Sequence, residues 1–389
     1  MQAKYYVESD LEGDQIGQSI AIEQSAGKSR NWDGISKSSQ RSGSAHVTSV
    51  VEVEPLPHPL PVYTDPVAHG AVRRAYEIQV RYNNWIPQCG IGNLLNVVLG
   101  EPQHLATVRA LRLKEIRLDA AEISSFGGPR YGRNVLTQGH DLVVAPIKPS
   151  AGLSPEEASA LAFEAAMGGV DIVKDDELAF PGLRGAPEER YRQVASAVRR
   201  AEQETGTRRA YWANVITSPA KALKAAEMAV NAGADALLLA PALQGLDVCA
   251  DVSASIGLPV VAHNVGVTSM TRVDGFGIDL SVWMYLQRLA GADAVLAPSP
   301  FGSFGISPQS ARDAIRATND EVPGVSATLF SHSGGVGPEN VRRLKSLAPE
   351  IAVAFTAGSA IFDHPFGPRS GAEALVLAVR ALGSQGPSA

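Results

Sequence analysis

The sequence predicts an α/β protein of two domains, an N-terminal α+β, ferredoxin-like domain over residues 1–125 and a C-terminal (β/α)8 TIM barrel over 126–389. Two observations carry this. With 389 residues and 45% apolar content, the chain exceeds one ordinary domain and can fill a large core. From Asp141 onward, short continuously apolar runs alternate with amphipathic helical stretches, the pattern of parallel strands buried on both faces. Eight such units over about 240 residues match a closed barrel, with an open doubly wound sheet as the alternative.

The first domain begins with the strand-like YYVES and a helical stretch from Asp14 to Gln24. HVTSVVEVEP and AYEIQVRY follow, with the alternating apolar residues of half-buried strands. The prolines of PLPHPLPVYTDPVAHG, between these two, forbid regular pairing. GNLLNVVLGEP reads as a second helix, ALRLKEIRLD as a further strand, and GGPRYGRN as a linker. The order strand, helix, strand, strand, helix, strand predicts an open antiparallel sheet.

The barrel strands are predicted in DLVVAPIK, GVDIVK, RAYWANV, ADALLLA, PVVAHN, ADAVLAP, SATLFS and IAVAFTA. The helix after the first has a clear start, with Ser154 as cap, Pro155 at its first position and Glu157 three residues after the cap. Trp212 and Trp283 fall within regular elements and are expected in the core.

Composition excludes several partners. With 34 basic against 40 acidic side chains, the formal charge of −6 offers no basic field for nucleic acid. Cys89 and Cys249 have no metal or redox spacing and are expected as free thiols. The start MQAKYYVESDLEGD lacks the basic and apolar regions of a signal peptide, and no run approaches a membrane span. A cytoplasmic protein with no membrane partner is expected.

Barrel enzymes place their chemistry where strands run into the following loops. The first strand ends at Lys148, the second in Lys174, Asp175, Asp176 and Glu177, the third near Asn214 and the fifth at His263. Three acids beside one lysine would repel one another without a cation, and hard oxygen ligands select Mg2+ over zinc. In strand geometry Lys174 and Asp176 share a side while Asp175 points away, so Asp176 and Glu177 are the better ligands. The seventh and eighth strands end in Ser333-Gly334-Gly335 and Ala357-Gly358-Ser359. Such glycine-rich ends let backbone N–H groups approach an anion, although they also make tight turns. Of the remaining histidines, His332 is a possible substrate contact, while His140 and His364 read as surface or capping residues.

IKPSAGLS followed by GGVDIVKDDE resembles the ribulose bisphosphate carboxylase large-chain superfamily. Further matches are IAIEQSAG, ALRLKEIRL, the SGG of strand seven and HPFGPRSGAEAL, so the likeness spans nearly the whole chain. It implies that CO2 adds to the neutral amine of Lys174, giving a lysine carbamate that joins Asp176 and Glu177 as ligands of Mg2+. It further implies that Lys148 carries a proton or stabilises charge, that His263 contacts substrate hydroxyls, and that Ser333, Gly334, Gly335, Gly358 and Ser359 hold a phosphate. Glu23 and Lys28 match positions that complete a neighbouring subunit's site, which implies a homodimer with shared active sites.

Departures from the pattern imply the RuBisCO-like branch. The carboxylases carry a lysine in a mobile loop after strand six, whereas LAPSPFGSFGIS has none. Ser150 replaces a second lysine, Val267 and Leu296 stand where histidines are expected, and Lys28-Ser29 replaces a Thr-Trp pair. The branch implies magnesium-stabilised enolate chemistry on a phosphorylated small molecule. Its activities include diketo-methylthiopentyl phosphate enolase, methylthioribulose phosphate isomerase, and 3-oxo-isoapionate 4-phosphate decarboxylase or transcarboxylase/hydrolase. GNLLNVVLGEP lacks the lysine base of the enolases and SHSGGVG departs from their strand-seven pattern, which favours the last group. A Schiff-base aldolase using Lys174 or Lys148 and a non-catalytic metabolite-binding paralogue are the readings from other classes.

Overall fold

A computed structural model describes residues 1–25, 44–60, 72–83 and 86–383. Two compact units emerge, one of Met1–Phe126 with Val267–Trp283, the other of Gly127–Gly266 with Met284–Ala389.

In the first unit, strands β1 (Gln2–Ser9), β2 (His46–Val53), β3 (Arg74–Arg81) and β4 (Val108–Arg117) lie in the order β4-β1-β3-β2, all neighbours antiparallel. Alternation buries Ala3, Tyr5 and Val7 of β1, and Tyr5 stands opposite Ile78 and Leu113. Its hydroxyl donates to the Val98 carbonyl at 2.8 Å, tying the helix Ile91–Leu99 to the sheet. The helix Gly13–Glu23 buries Ile16 and Ile20. Gly13 is needed there, because a Cβ would come within 2.5 Å of Val50 Cγ1.

A fifth strand that sequence patterning did not show, β10 (Phe276–Ile278), pairs parallel with β4 from a segment between the fifth and sixth barrel strands. Arg112 holds it, donating to the carbonyls of Thr271, Val273 and Phe276 at 2.7–2.9 Å and pairing with Asp279.

The second unit closes the barrel of eight parallel strands that the apolar runs predict. In chain order these are β5 (Leu142–Pro146), β6 (Ile172–Lys174), β7 (Ala210–Asn214), β8 (Ala236–Leu239) and β9 (Val260–His263), then β11 (Ala294–Pro298), β12 (Leu329–Ser333) and β13 (Ala354–Thr356). Alternate residues point inward, and Leu142, Val144, Ile172, Trp212, Leu238, Val261, Leu296 and Leu329 fill the interior. Outward residues such as Phe330 and Phe355 are equally buried. Ser154 and Glu157 form the expected reciprocal cap.

The segment read as a linker is a packed part of the barrel. Asp293 accepts from the backbone N–H groups of Tyr131, Gly132 and Val260 at 2.6–2.9 Å, clamping it to the strand ends. Burial raises the Asp293 carboxyl, against the pull of those donors. A clamp of this kind depends on closure and leaves no local periodicity to read.

Candidate active site

Five of the predicted residues converge at the C-terminal ends of β5, β6 and β9. Lys174 ends β6 in phase with inward-facing Ile172 and is 1% exposed. Its Nζ donates to the Asp175 carbonyl at 2.7 Å and lies 3.5 Å from Glu177 Oε2. Asp176 Oδ2 meets Lys148 Nζ at 2.7 Å, while Oδ1 accepts from Leu178 N–H at 3.0 Å. Lys148 also donates to Ser150 Oγ at 2.6 Å. His263 Nε2 lies 3.1 Å from Glu177 Oε2, and its Nδ1 accepts from Val265 N–H at 3.0 Å. These two contacts assign the tautomer, with the proton on Nε2 and donated to Glu177. Burial alone would raise the Glu177 carboxyl, but the His263 hydrogen bond and the Lys174 charge outweigh it and hold the group well below the usual carboxylate range.

A buried polar network underlies this cluster. Asp175 points to the outer side of β6, where Arg190 Nε and Nη2 donate to Oδ1 at 3.0 and 2.8 Å and the Tyr211 hydroxyl donates to Oδ2 at 2.6 Å. Burial first and the Asp175 charge second raise Tyr211 well above its ordinary value, so the phenol remains a donor. Asn214 Nδ2 donates to the carbonyls of Asp176 and Glu177 at 2.9 and 3.2 Å, and Tyr191 anchors the Asn214 carbonyl at 2.7 Å. Arg190, Tyr191 and Tyr211 carry no catalytic pattern in the sequence. One signal was available, because Arg190 occupies the apolar phase of its helix with Val194, Ala197, Val198 and Ala201.

The glycine-rich strand ends lie at the same face of the barrel. Gly334 and Gly335 take φ values of 85° and 68°. A Cβ on Gly334 would overlap the Phe304 ring at 1.9 Å, and one on Gly335 would come within 2.6 Å of Gly302 Cα. These glycines therefore also let the loops after β11 and β12 touch. Ser333 Oγ donates to the Ala297 carbonyl at 3.0 Å. Gly358 lies against the Lys148 stem, where a Cβ would stand 3.1 Å from Cε, and Ser359 begins the following short helix.

Other candidates lie elsewhere. His332 is no substrate contact, since strand alternation turns it outward, fully buried between Phe330 and Phe355 with ring centroids 5.1 and 5.9 Å away. Glu23 ends its helix in the first unit, and Lys28 falls outside the described residues.

The donor set suits magnesium on one condition. No group of three His, Cys, Asp or Glu side chains is arranged for a metal among the described residues. Asp176 and Glu177 supply two carboxylates, and a carbamate on Lys174, buried beside them, would supply the third hard oxygen donor.

Comparisons with known proteins agree with this architecture. Residues 130–388 match the family model for the ribulose bisphosphate carboxylase large chain, catalytic domain. A ribulose bisphosphate carboxylase-like protein of Chlorobaculum thiosulfatiphilum is 30% identical over 349 residues, covering 87% of this chain and 79% of that one. A 2,3-diketo-5-methylthiopentyl-1-phosphate enolase of Geobacillus kaustophilus is 31% identical over 287 residues, covering 70% of this chain and 68% of that one. A solved rubisco-like protein from Burkholderia fungorum superposes with a TM-score of 0.88 at 25% identity, over 99% of this chain and 95% of that one. The barrel, its terminal lysine and acid cluster and these likenesses together show that the chain belongs to the ribulose bisphosphate carboxylase large-chain superfamily, in its RuBisCO-like branch.

Proposed function

We propose that this protein is a magnesium-dependent RuBisCO-like enzyme that forms and protonates an enolate of a phosphorylated keto sugar acid or ketose phosphate. The favoured activity is 3-oxo-isoapionate 4-phosphate decarboxylase or transcarboxylase/hydrolase. The observation that carries the reading is the convergence of Lys148, Lys174, Asp176, Glu177 and His263 at one barrel mouth. Lys174 as carbamate, Asp176 and Glu177 would hold Mg2+, which when bound supplies Lewis-acid stabilisation of negative charge on a substrate oxygen.

Lys148 is the proton carrier. Its Nζ is fixed by Asp176 and Ser150 yet the side chain is 34% exposed, so it can face a bound substrate. His263 presents Nε2–H, and the Val265 contact prevents the ring from presenting a proton at Nδ1. Backbone N–H groups of Gly334, Gly335, Gly358 and Ser359, with the Ser333 hydroxyl once turned from the Ala297 carbonyl, are the proposed phosphate donors. LAPSPFGSFGIS contributes no lysine for carboxylation, so turnover of ribulose bisphosphate with CO2 is not expected.

The enolase is the second reading, favoured by the 31% identity to the Geobacillus relative. A cytoplasmic homodimer, with Glu23 and Lys28 completing the partner's site, belongs to the same proposal. The test is magnesium- and bicarbonate-dependent turnover on a panel of phosphorylated keto acids and ketose phosphates. Lys174→Ala should abolish turnover, and Lys148→Ala should lower kcat by roughly 10²–10⁴-fold. Turnover indifferent to magnesium and to Lys174, with a substrate adduct trapped by borohydride, would establish the Schiff-base aldolase instead.

A further inference from the structure

The barrel has a second mouth, formed by residues that precede its strands. There a cavity of about 550 Å³ opens between the starts of β5 to β9, the helix Gly132–Thr137 and Arg380. Its floor is apolar, made by Leu142, Ile172 and Trp212 of the lowest interior layer. Its wall carries Arg208, Arg209 and Arg380 against only two carboxylates, Asp171 and Asp235.

Both carboxylates are already engaged. Asp171 accepts from Arg380 Nη2 at 2.7 Å and from Val143 N–H at 2.8 Å. Asp235 accepts from Arg199 Nη2 at 2.6 Å and from Tyr211 N–H at 2.8 Å, with Arg208 at 3.6 Å. Arg209 is left over. It is 8% exposed, its buried Nε has no acceptor, and its Nη1 reaches only the Arg208 carbonyl at 3.3 Å. Burial pulls this guanidinium below its ordinary value, and the nearby Asp171 charge only partly offsets the effect. Glu202 is taken up by the Arg209 backbone N–H at 2.7 Å, so the buried guanidinium keeps one long acceptor, and an added anion would offset its desolvation.

We propose that this basin binds a small phosphate monoester, with its oxygens on the Arg209 and Arg208 guanidinium groups that line the cavity and its organic body over the apolar floor. One buried guanidinium with a single long acceptor and one solvated guanidinium at the rim together favour a dianion with several acceptor oxygens, the geometry guanidinium matches best. The apolar floor requires more than a bare ion, so an ester with a compact apolar part should bind more tightly than inorganic phosphate.

The experiment is thermal melting of the full chain against phenyl phosphate and inorganic phosphate, without magnesium and at constant ionic strength. Phenyl phosphate should raise Tm at lower concentration than phosphate does, and Lys174→Ala, altered only at the opposite mouth, should respond as wild type does. Arg209→Gln should weaken the response by about tenfold or more, the loss expected for a charge-assisted hydrogen bond. Arg208→Gln, whose side chain is 83% exposed, should weaken it by about threefold without loss of fold, as for a rim charge. A wild-type response in Arg209→Gln would overturn the proposal, as would loss of the response in Lys174→Ala. If Arg209→Gln does not fold, an unchanged response in Arg208→Gln would overturn it.

Discussion

Asp175 and Arg190 form a buried ion pair in which neither group has water to fall back on. Arg190→Met leaves the carboxylate with Tyr211 as its remaining side-chain donor, and should cost about 3–5 kcal/mol of stability in urea unfolding. It should also loosen Asp176 and Glu177, the next two residues in the chain, and so, under the proposed mechanism, raise the magnesium concentration needed for turnover. His332 predicts a pH dependence. Burial, helped by the Lys345 charge, lowers its imidazole from 6.5 to about 3. The unfolded chain therefore takes up the proton first as pH falls, and this residue erodes stability between pH 6.5 and about 3, by up to ~1.4 kcal/mol per pH unit. His332→Phe should flatten that part of the stability-versus-pH curve. It also removes two buried ring nitrogens that lack partners. The facing of Lys174 and Asp175 was legible because strand alternation is local. The Arg190 pair and the His263–Glu177 contact were not, because both form only once separate strands and helices have come together.

The barrel strands were legible as apolar runs, since a strand buried on both faces needs an unbroken apolar run. β10 was not, being three residues of glycine-containing sequence whose pairing depends on Arg112. Arg112→Met removes one donation to its Phe276 carbonyl, two to the preceding Thr271 and Val273 carbonyls and the pair with Asp279, so Phe276–Ile278 should lose amide protection in hydrogen exchange. The expected local cost is about 1.5–3 kcal/mol, the value of a charge-assisted hydrogen bond. The reading of GGPRYGRN as a linker failed for the same reason as the missed β10. Its order comes from Asp293, more than 150 residues away in the chain.

For the whole molecule, the proposed homodimer makes a quantitative prediction. If Glu23 completes the partner's site, Lys174→Ala and Glu23→Gln should each be inactive alone. Co-refolded in equal amounts, they should recover about a quarter of wild-type turnover, because half the dimers then hold one intact site. No recovery, with heterodimers present by native mass spectrometry, would mean that each site is built from a single chain. The parallel strand that completes the first unit has a further consequence for synthesis. β4 ends at Arg117 and its partner starts at Phe276, so a ribosome adding ~5–20 residues per second leaves that edge open for roughly 8–30 s. During that interval the growing chain displays a row of unpaired backbone groups, a template for pairing with any other extended segment. Nascent chains stalled before residue 276 should therefore depend more on chaperones than chains stalled after residue 283.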